Sequence, residues 1–304
     1  MTNTKNNLKT IFLALIVMAL WGSLFPMIKI GYGAFGIASS HIPSIILFAG
    51  ARFTFSGIVL VTIFSIGAKR LALPQKSEIA PIFGGMLTTI ILHYTFTYVA
   101  LAIGEGSKTA IVKQICFLFL GCFAFLFDKS DKFTVNKMIA AILGFAGIIA
   151  TAYDGEAIVF KLGDLLLLLA SACSAAGTIV SKRATQKISP VKFVAYSQLF
   201  GGIFLLLAGL ILGGSLPVIS VKSICSFAYI CTASIIAYTI WNTLLKTNSI
   251  SKLSIIKFTE PLFAVVFSGF LLGEDVLKLT YLIALLLMLA ALVIEHKEPK
   301  KNNS

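Results

Sequence analysis

The chain has 304 residues, 58% of them hydrophobic and only 12% charged, with a mean hydropathy of +0.97 and a formal net charge of +13. That is too little polar surface to cover a water-soluble globule, so the chain is expected to be an integral membrane protein. Its basic residues are scattered singly between apolar segments and form no patch interleaved with exposed aromatics, which argues against a nucleic-acid partner.

In chain order, apolar runs near 9–30, 42–66, 78–100, 105–127, 134–153, 163–182, 191–212, 223–245, 251–273 and 277–295 have the length that crosses about 30 Å of hydrocarbon. This predicts an all-α membrane protein of ten transmembrane helices. The first run follows Lys5 and Lys9 as a signal peptide would, but it exceeds a typical h-region and lacks a small-residue cleavage site, so it reads as a retained span. The second carries Arg52 near its middle, where a guanidinium fork suits bracing of neighbouring carbonyls or an acid better than facing substrate. The third holds His93, Tyr94 and Tyr98, the two tyrosines sharing a helical face. His93 is the only histidine expected at membrane depth, and because histidine is the side chain suited to proton exchange near neutral pH it is a candidate for a coupling proton. The eighth contributes Tyr238 and Asn242 on one face, with Trp241 turned partly away. The ninth contains Glu260 and Pro261, and the tail from Glu295 to Ser304 reads as a solvated end.

The links carry Pro74, Pro190, Gly213, Gly214, Asn248 and Ser249, as helix ends should. Seventeen of the 25 Lys and Arg residues fall at the amino terminus, at the carboxyl tail and in every second loop. The positive-inside bias therefore predicts cytoplasmic termini in a plasma membrane, with a bacterial inner or cytoplasmic membrane expected. Cys116, Cys122, Cys173, Cys225 and Cys231 all lie in apolar segments and form no metal or disulfide pattern.

Ser107–Lys113 recurs as Ser251–Lys257, and the windows from Ser107 to Phe127 and from Ser251 to Leu271 share seven of 21 residues. An odd number of spans per half makes this an inverted repeat, with halves 1–155 and 156–304, and carriers built that way bind substrate near the midplane. A lysine at membrane depth costs about 2.5–3.5 kcal/mol to insert and is a functional candidate. Lys108 and Lys252 fit snorkelling to headgroups. Lys113 and Lys257 lie about 7.5 Å deeper. They are expected to face a lumen, with bracing of helix carbonyls as the alternative.

Ten spans as five plus five, Trp21-Gly22-Ser23 with Pro26 and Lys29 closing the first helix, Arg52-Phe53, Glu260-Pro261 and Gly273-Glu274 together resemble the drug/metabolite transporter superfamily, EamA type. The resemblance implies a carrier with a central cavity lined mainly by helices 1, 3, 4, 6, 8 and 9, commonly an exporter of small metabolites. One departure is Phe117, which stands where members often carry a proline matching Pro261.

Lys113 and Lys257 are therefore expected to anchor the anionic group of an amino acid or organic acid, with Trp21, Tyr94, Tyr98, Gln114, Tyr238 and Asn242 around its body. Glu260, three residues after Lys257, would pair with it or exchange a proton. The expected mechanism is alternating access, with no cofactor or metal, and with membrane lipids and at most a second copy as partners. HExxH, GxSxG and a Walker lysine motif are missing, and Asp128-Lys129-Ser130-Asp131 lacks the spacing that holds magnesium for diphosphate chemistry, so an enzyme is not expected. A lipid-handling or assembly factor, and an exporter of cationic drugs, are the rival readings.

Overall fold

The computed structural model describes residues 2–69, 73–104, 109, 112–113, 134–152, 161–248, 253, 256–257 and 259–296. The described elements are all helical: α1 (Thr2–Phe35), α2 (Ile42–Gly67), α3 (Lys76–Gly85), a π-helical stretch (Met86–Leu92), α4 (His93–Ile103), α5 (Val135–Ala152), α6 (Leu162–Lys187), α7 (Pro190–Ile211), α8 (Val221–Thr247), α9 (Glu260–Leu272) and α10 (Leu279–His296). Six segments are long and apolar enough to cross a membrane: Leu8–Phe35, Ile42–Gly67, Lys76–Ile103, Leu162–Lys187, Pro190–Ile211 and Val221–Thr247. Shorter apolar helices lie in the fifth, ninth and tenth expected spans. Most of the fourth, including Gln114 and Phe117, lies outside the described residues.

Local chemistry sets the helix ends. Pro43, Pro190 and Pro261 stand in the first turns of α2, α7 and α9, where a missing amide donor costs nothing. Ser220 caps α8 by accepting from the Ser223 amide at 3.2 Å, and Gly273, at φ +65°, ends α9 in the left-handed conformation. Two features differ from the hydropathy reading. Lys29 does not close the first helix, which runs on to Phe35 because Ile28, Tyr32 and Phe35 are buried. Lys29 instead reaches the Gly104 carbonyl at 2.9 Å and Glu274 at 3.2 Å. The third span is not one regular helix, since the π stretch divides it above Gly85.

The tightest packing joins α2 to α7. A methyl group added at Gly50 would stand 2.2 Å from the Leu206 nitrogen, and one at Gly202 would stand 2.2 Å from the Thr54 nitrogen. Gly57 meets Leu199 and Gly209 meets Leu47 in the same antiparallel register, so four glycines let two backbones touch. Around this pair, α1 packs on α8 and α9, α4 on α6, and α5 on α10. The outward faces of α2 and α7 carry Phe55, Ile58, Ile63, Phe204, Leu207 and Ile211 exposed. Helices apolar on both inner and outer faces belong in lipid.

Candidate functional site

The interior between α1, α4, α6, α8 and the start of α9 holds a cluster of three charges, Lys113, Lys257 and Glu260. Glu260, fully buried, opens α9 in its first turn. Its Oε1 lies 3.7 Å from the Lys113 ammonium and its Oε2 lies 4.0 Å from that of Lys257. Neither oxygen has a hydrogen-bond partner at closer range among the described residues. Gly22 makes this approach possible, because a methyl group there would stand 2.7 Å from Phe263 Cβ and 3.0 Å from the Glu260 carbonyl oxygen. Pro26 also leaves the Gly22 carbonyl without its intrahelical donor.

Each lysine head also sits over an aromatic face. Lys113 lies 5.2 Å from the Phe25 ring, and Lys257 lies 4.6 Å from Trp21 and 5.3 Å from Trp241. Trp21 packs edge-on against Tyr238 and Trp241 at 5.5 and 5.3 Å. The Tyr238 hydroxyl donates to that of Tyr94 at 2.5 Å, so rings from α1, α4 and α8 form one layer.

A small open cavity, with room for a few water molecules, lies against that layer. Of the residues expected to bind substrate, Lys113, Lys257, Trp21, Tyr94, Tyr238 and Asn242 line it, as does His93. The His93 Nδ1 lies 2.8 Å from the Ala170 carbonyl, which can only accept, so the neutral ring keeps Nε2 as its acceptor. Asn242 donates to the Tyr238 carbonyl at 3.0 Å, and among the described residues its Oδ1 and the Trp21 Nε1 have no partner.

Two residues singled out in the sequence, Tyr98 and Arg52, stand apart from this cavity. Tyr98 is fully buried behind the cavity, where its hydroxyl accepts from Arg52. Arg52, also fully buried, donates to Tyr98 and to Ser234 Oγ and lies over the rings of Phe53, Tyr94 and Tyr98. Gln114 lies outside the described residues, as do Glu105, Lys108 and Lys252. Trp241, expected to turn partly away, lines the cavity instead, because Trp21 and Lys257 approach it from α1 and the ninth span.

The hydroxyl row of α6 is an addition to the expected set. Ser174, Thr178 and Ser181 line the cavity at steps of four and three residues. Ser171, one step earlier, donates to the Lys113 carbonyl at 3.1 Å. A polar stripe at helical spacing inside an apolar segment is a signal that the sequence carries. Among the described residues no group of His, Cys, Asp and Glu could hold a metal ion.

Residues 8–153 and 161–295 both match the EamA-like transporter family. The chain is 28% identical over 299 residues to "Uncharacterized transporter YvbV" of Bacillus subtilis, covering 96% of this chain and 93% of that one. It is 26% identical over 290 residues to a "Probable amino-acid metabolite efflux pump" of Salmonella typhimurium, covering 91% of each. It is 25% identical to "Uncharacterized inner membrane transporter YedA" of Escherichia coli K12, covering 90% of this chain and 87% of that protein. A protein of known crystal structure matches 94% of this chain and 96% of its own with a TM-score of 0.64 at 16% identity, a likeness of fold. With its apolar spans and a cavity walled by charged and aromatic side chains, the chain belongs to the EamA-like transporter family and is a multi-pass plasma-membrane transporter, not an enzyme.

Proposed function

We propose that this protein is a secondary transporter that moves a small anionic or zwitterionic metabolite, an amino acid or organic acid, by alternating access through the cavity between α1, α4, α6 and α8, most naturally outward. The observation that carries this reading is the meeting of two ammonium groups with one buried carboxylate at the wall of an aromatic cavity. The contacts to Glu260 are long, so a substrate carboxylate can replace it on either lysine at small cost. Donor groups of the substrate would meet Asn242 Oδ1 and His93 Nε2. The name of the Salmonella relative supports the amino-acid class. A cationic drug is disfavoured because the lysines already occupy ring faces of Phe25, Trp21 and Trp241.

The same reading holds ten spans in two inverted halves, 1–155 and 156–304, with both termini cytoplasmic. The family matches support it by falling in two successive segments. So do the helix pairings: α2 packs on α7 and α5 on α10, and α1 on α8 is answered by α4 on α6. Glu260 or His93 would carry a coupling proton.

Thermal unfolding of the purified protein with amino acids, organic acids, sugar phosphates and cationic drugs tests the substrate class, because a bound ligand stabilises by RT ln(1 + [L]/Kd). Anions are expected to raise the midpoint of the wild type and not of Lys113→Ala or Lys257→Ala. Stabilisation by cations alone, or full counterflow in both variants, would remove the lysines from the substrate site.

A further inference from the structure

Two lysines make the same contact at opposite ends of the molecule. Lys29, near the end of α1, donates to the carbonyl of Gly104, the residue that closes α4, at 2.9 Å. Lys182, near the end of α6, donates to the carbonyls of Leu245 and Asn248 at 2.6 and 2.8 Å, and Asn248 closes α8. Gly104 and Asn248 both leave their helices in extended conformation, and they stand 144 positions apart, as Ser107 and Ser251 do. The last carbonyls of a helix have no intrahelical donor and carry the negative end of its dipole, so an ammonium suits them.

The path of the chain puts the two contacts on opposite faces. A methyl group at Gly163, where α6 begins, would stand 3.7 Å from Ile103, so α6 starts beside the Lys29 contact. Lys182 lies 19 residues further along α6, about 29 Å at helical rise, which is the depth of a bilayer's hydrocarbon. The cavity lies between them. Trp21 and Ser174 line it, and each precedes its lysine by eight residues on the same helix. Ser181 and Leu245, at the Lys182 contact, line it as well. Each contact has a second tie: Lys29 pairs with Glu274 beyond α9 at 3.2 Å, and the Gln186 amide donates to the Lys246 carbonyl at 3.2 Å.

We infer that Lys29 and Lys182 are a matched pair of latches, each closing one end of the cavity by tying the first span of its half to the end of the third. A solute reaches one face when the latch there is released and the other holds. The alternation of the two rests on the alternating-access reading above. The closing of each end does not, and it is measured without any substrate.

The probe is an anionic methanethiosulfonate that cannot cross a membrane, applied to the full chain in right-side-out and in inverted vesicles. The reporter is Ser174→Cys in a chain whose five native cysteines are replaced by alanine. Lys182→Met is expected to speed labelling from the Lys182 face about tenfold or more, as loss of a charge-assisted contact does, and to slow it from the other face. Lys29→Met is expected to do the reverse. In a two-state equilibrium, opening one end draws population from the other, so opposite signs at the two faces are the signature of a latch. A lysine that only braces its helix would leave both rates alone or raise both together when removed.

If either methionine variant fails to fold, Gln186→Ala and Glu274→Gln, which weaken one latch each and keep its lysine, should shift the rates in the same senses by less. Rates that stay unchanged, or rise equally at both faces, in folded variants overturn the latches and leave the transport reading to its own counterflow test. Faster labelling at the expected face with no loss at the other supports the latch and overturns alternating access, because ends that open independently make a channel.

Discussion

The α2–α7 seam and the cavity beside α9 are both buried, yet they are built on opposite principles. At the seam, backbone meets backbone with no room for a single added carbon at Gly50 or Gly202. At the cavity, the main attractions are two ion contacts of 3.7 and 4.0 Å, and among the described residues the amide oxygen of Asn242, the indole nitrogen of Trp21 and both oxygens of Glu260 have no hydrogen-bond partner. Close packing specifies one arrangement because any shift opens a void or a clash. Long, under-satisfied polar contacts specify a set of groups without fixing who pairs with whom. The first arrangement suits a fixed frame and the second suits exchange of partners with a passing solute.

The largest expected effect breaks the seam. Gly202→Leu should destroy the folded protein, because overpacking that costs about 1–3 kcal/mol where side chains can yield costs more against backbone. Size-exclusion profiles and thermal unfolding in detergent check this. Gly33→Ala, where nothing lies within 4 Å, should behave as wild type.

Next, Glu260→Gln leaves two lysine heads without their carboxylate and should lower stability by about 3 kcal/mol. Lys113→Met in the same chain should restore part of the loss, and a double-mutant cycle measures the coupling. Full stability in Glu260→Gln would mean that the lysines are already compensated, and the contrast with the seam would fade.

Lys257→Ala should cut substrate counterflow at least about tenfold, the worth of one charged contact. Tyr238→Phe should cost about 1 kcal/mol for its bond to Tyr94. Glu274→Gln, which removes the partly exposed pair with Lys29, should cost about 0–1 kcal/mol.

Much of the frame is legible in the sequence because hydropathy depends on each segment alone. Six expected spans recur as long apolar helices with ends shifted by a few residues, as α6 shows by running on to Lys187. The seam is only partly legible: Gly201 and Gly202 stand out as a pair, but which glycine meets backbone depends on the crossing point of two helices. At the site, the pairing of Lys257 with Glu260 follows from a three-residue spacing within one expected span. The pairing of Lys113 with the same carboxylate joins residues 147 positions apart, and no local pattern encodes it. Trp241 eludes a face argument for the same reason, since its partners Trp21 and Lys257 come from other helices.

The π-helical stretch Met86–Leu92 divides its span into two parts with different neighbours. Below it, Gly85 lies under the Phe193 ring of α7. Above it, His93 holds the Ala170 carbonyl of α6, and Tyr94 faces the cavity. A π turn houses one residue more than an α turn. That extra residue acts as a phase shift, because one residue on an α-helix is about 100° of rotation. Forcing this stretch into α geometry with all its residues kept would swing His93, Tyr94 and Tyr98 together by about that angle, whereas deleting one residue such as Thr88 as the turn becomes α would leave them near their present azimuth. The π turn thus takes up one residue and keeps the aromatic layer in register with Gly84 and Gly85.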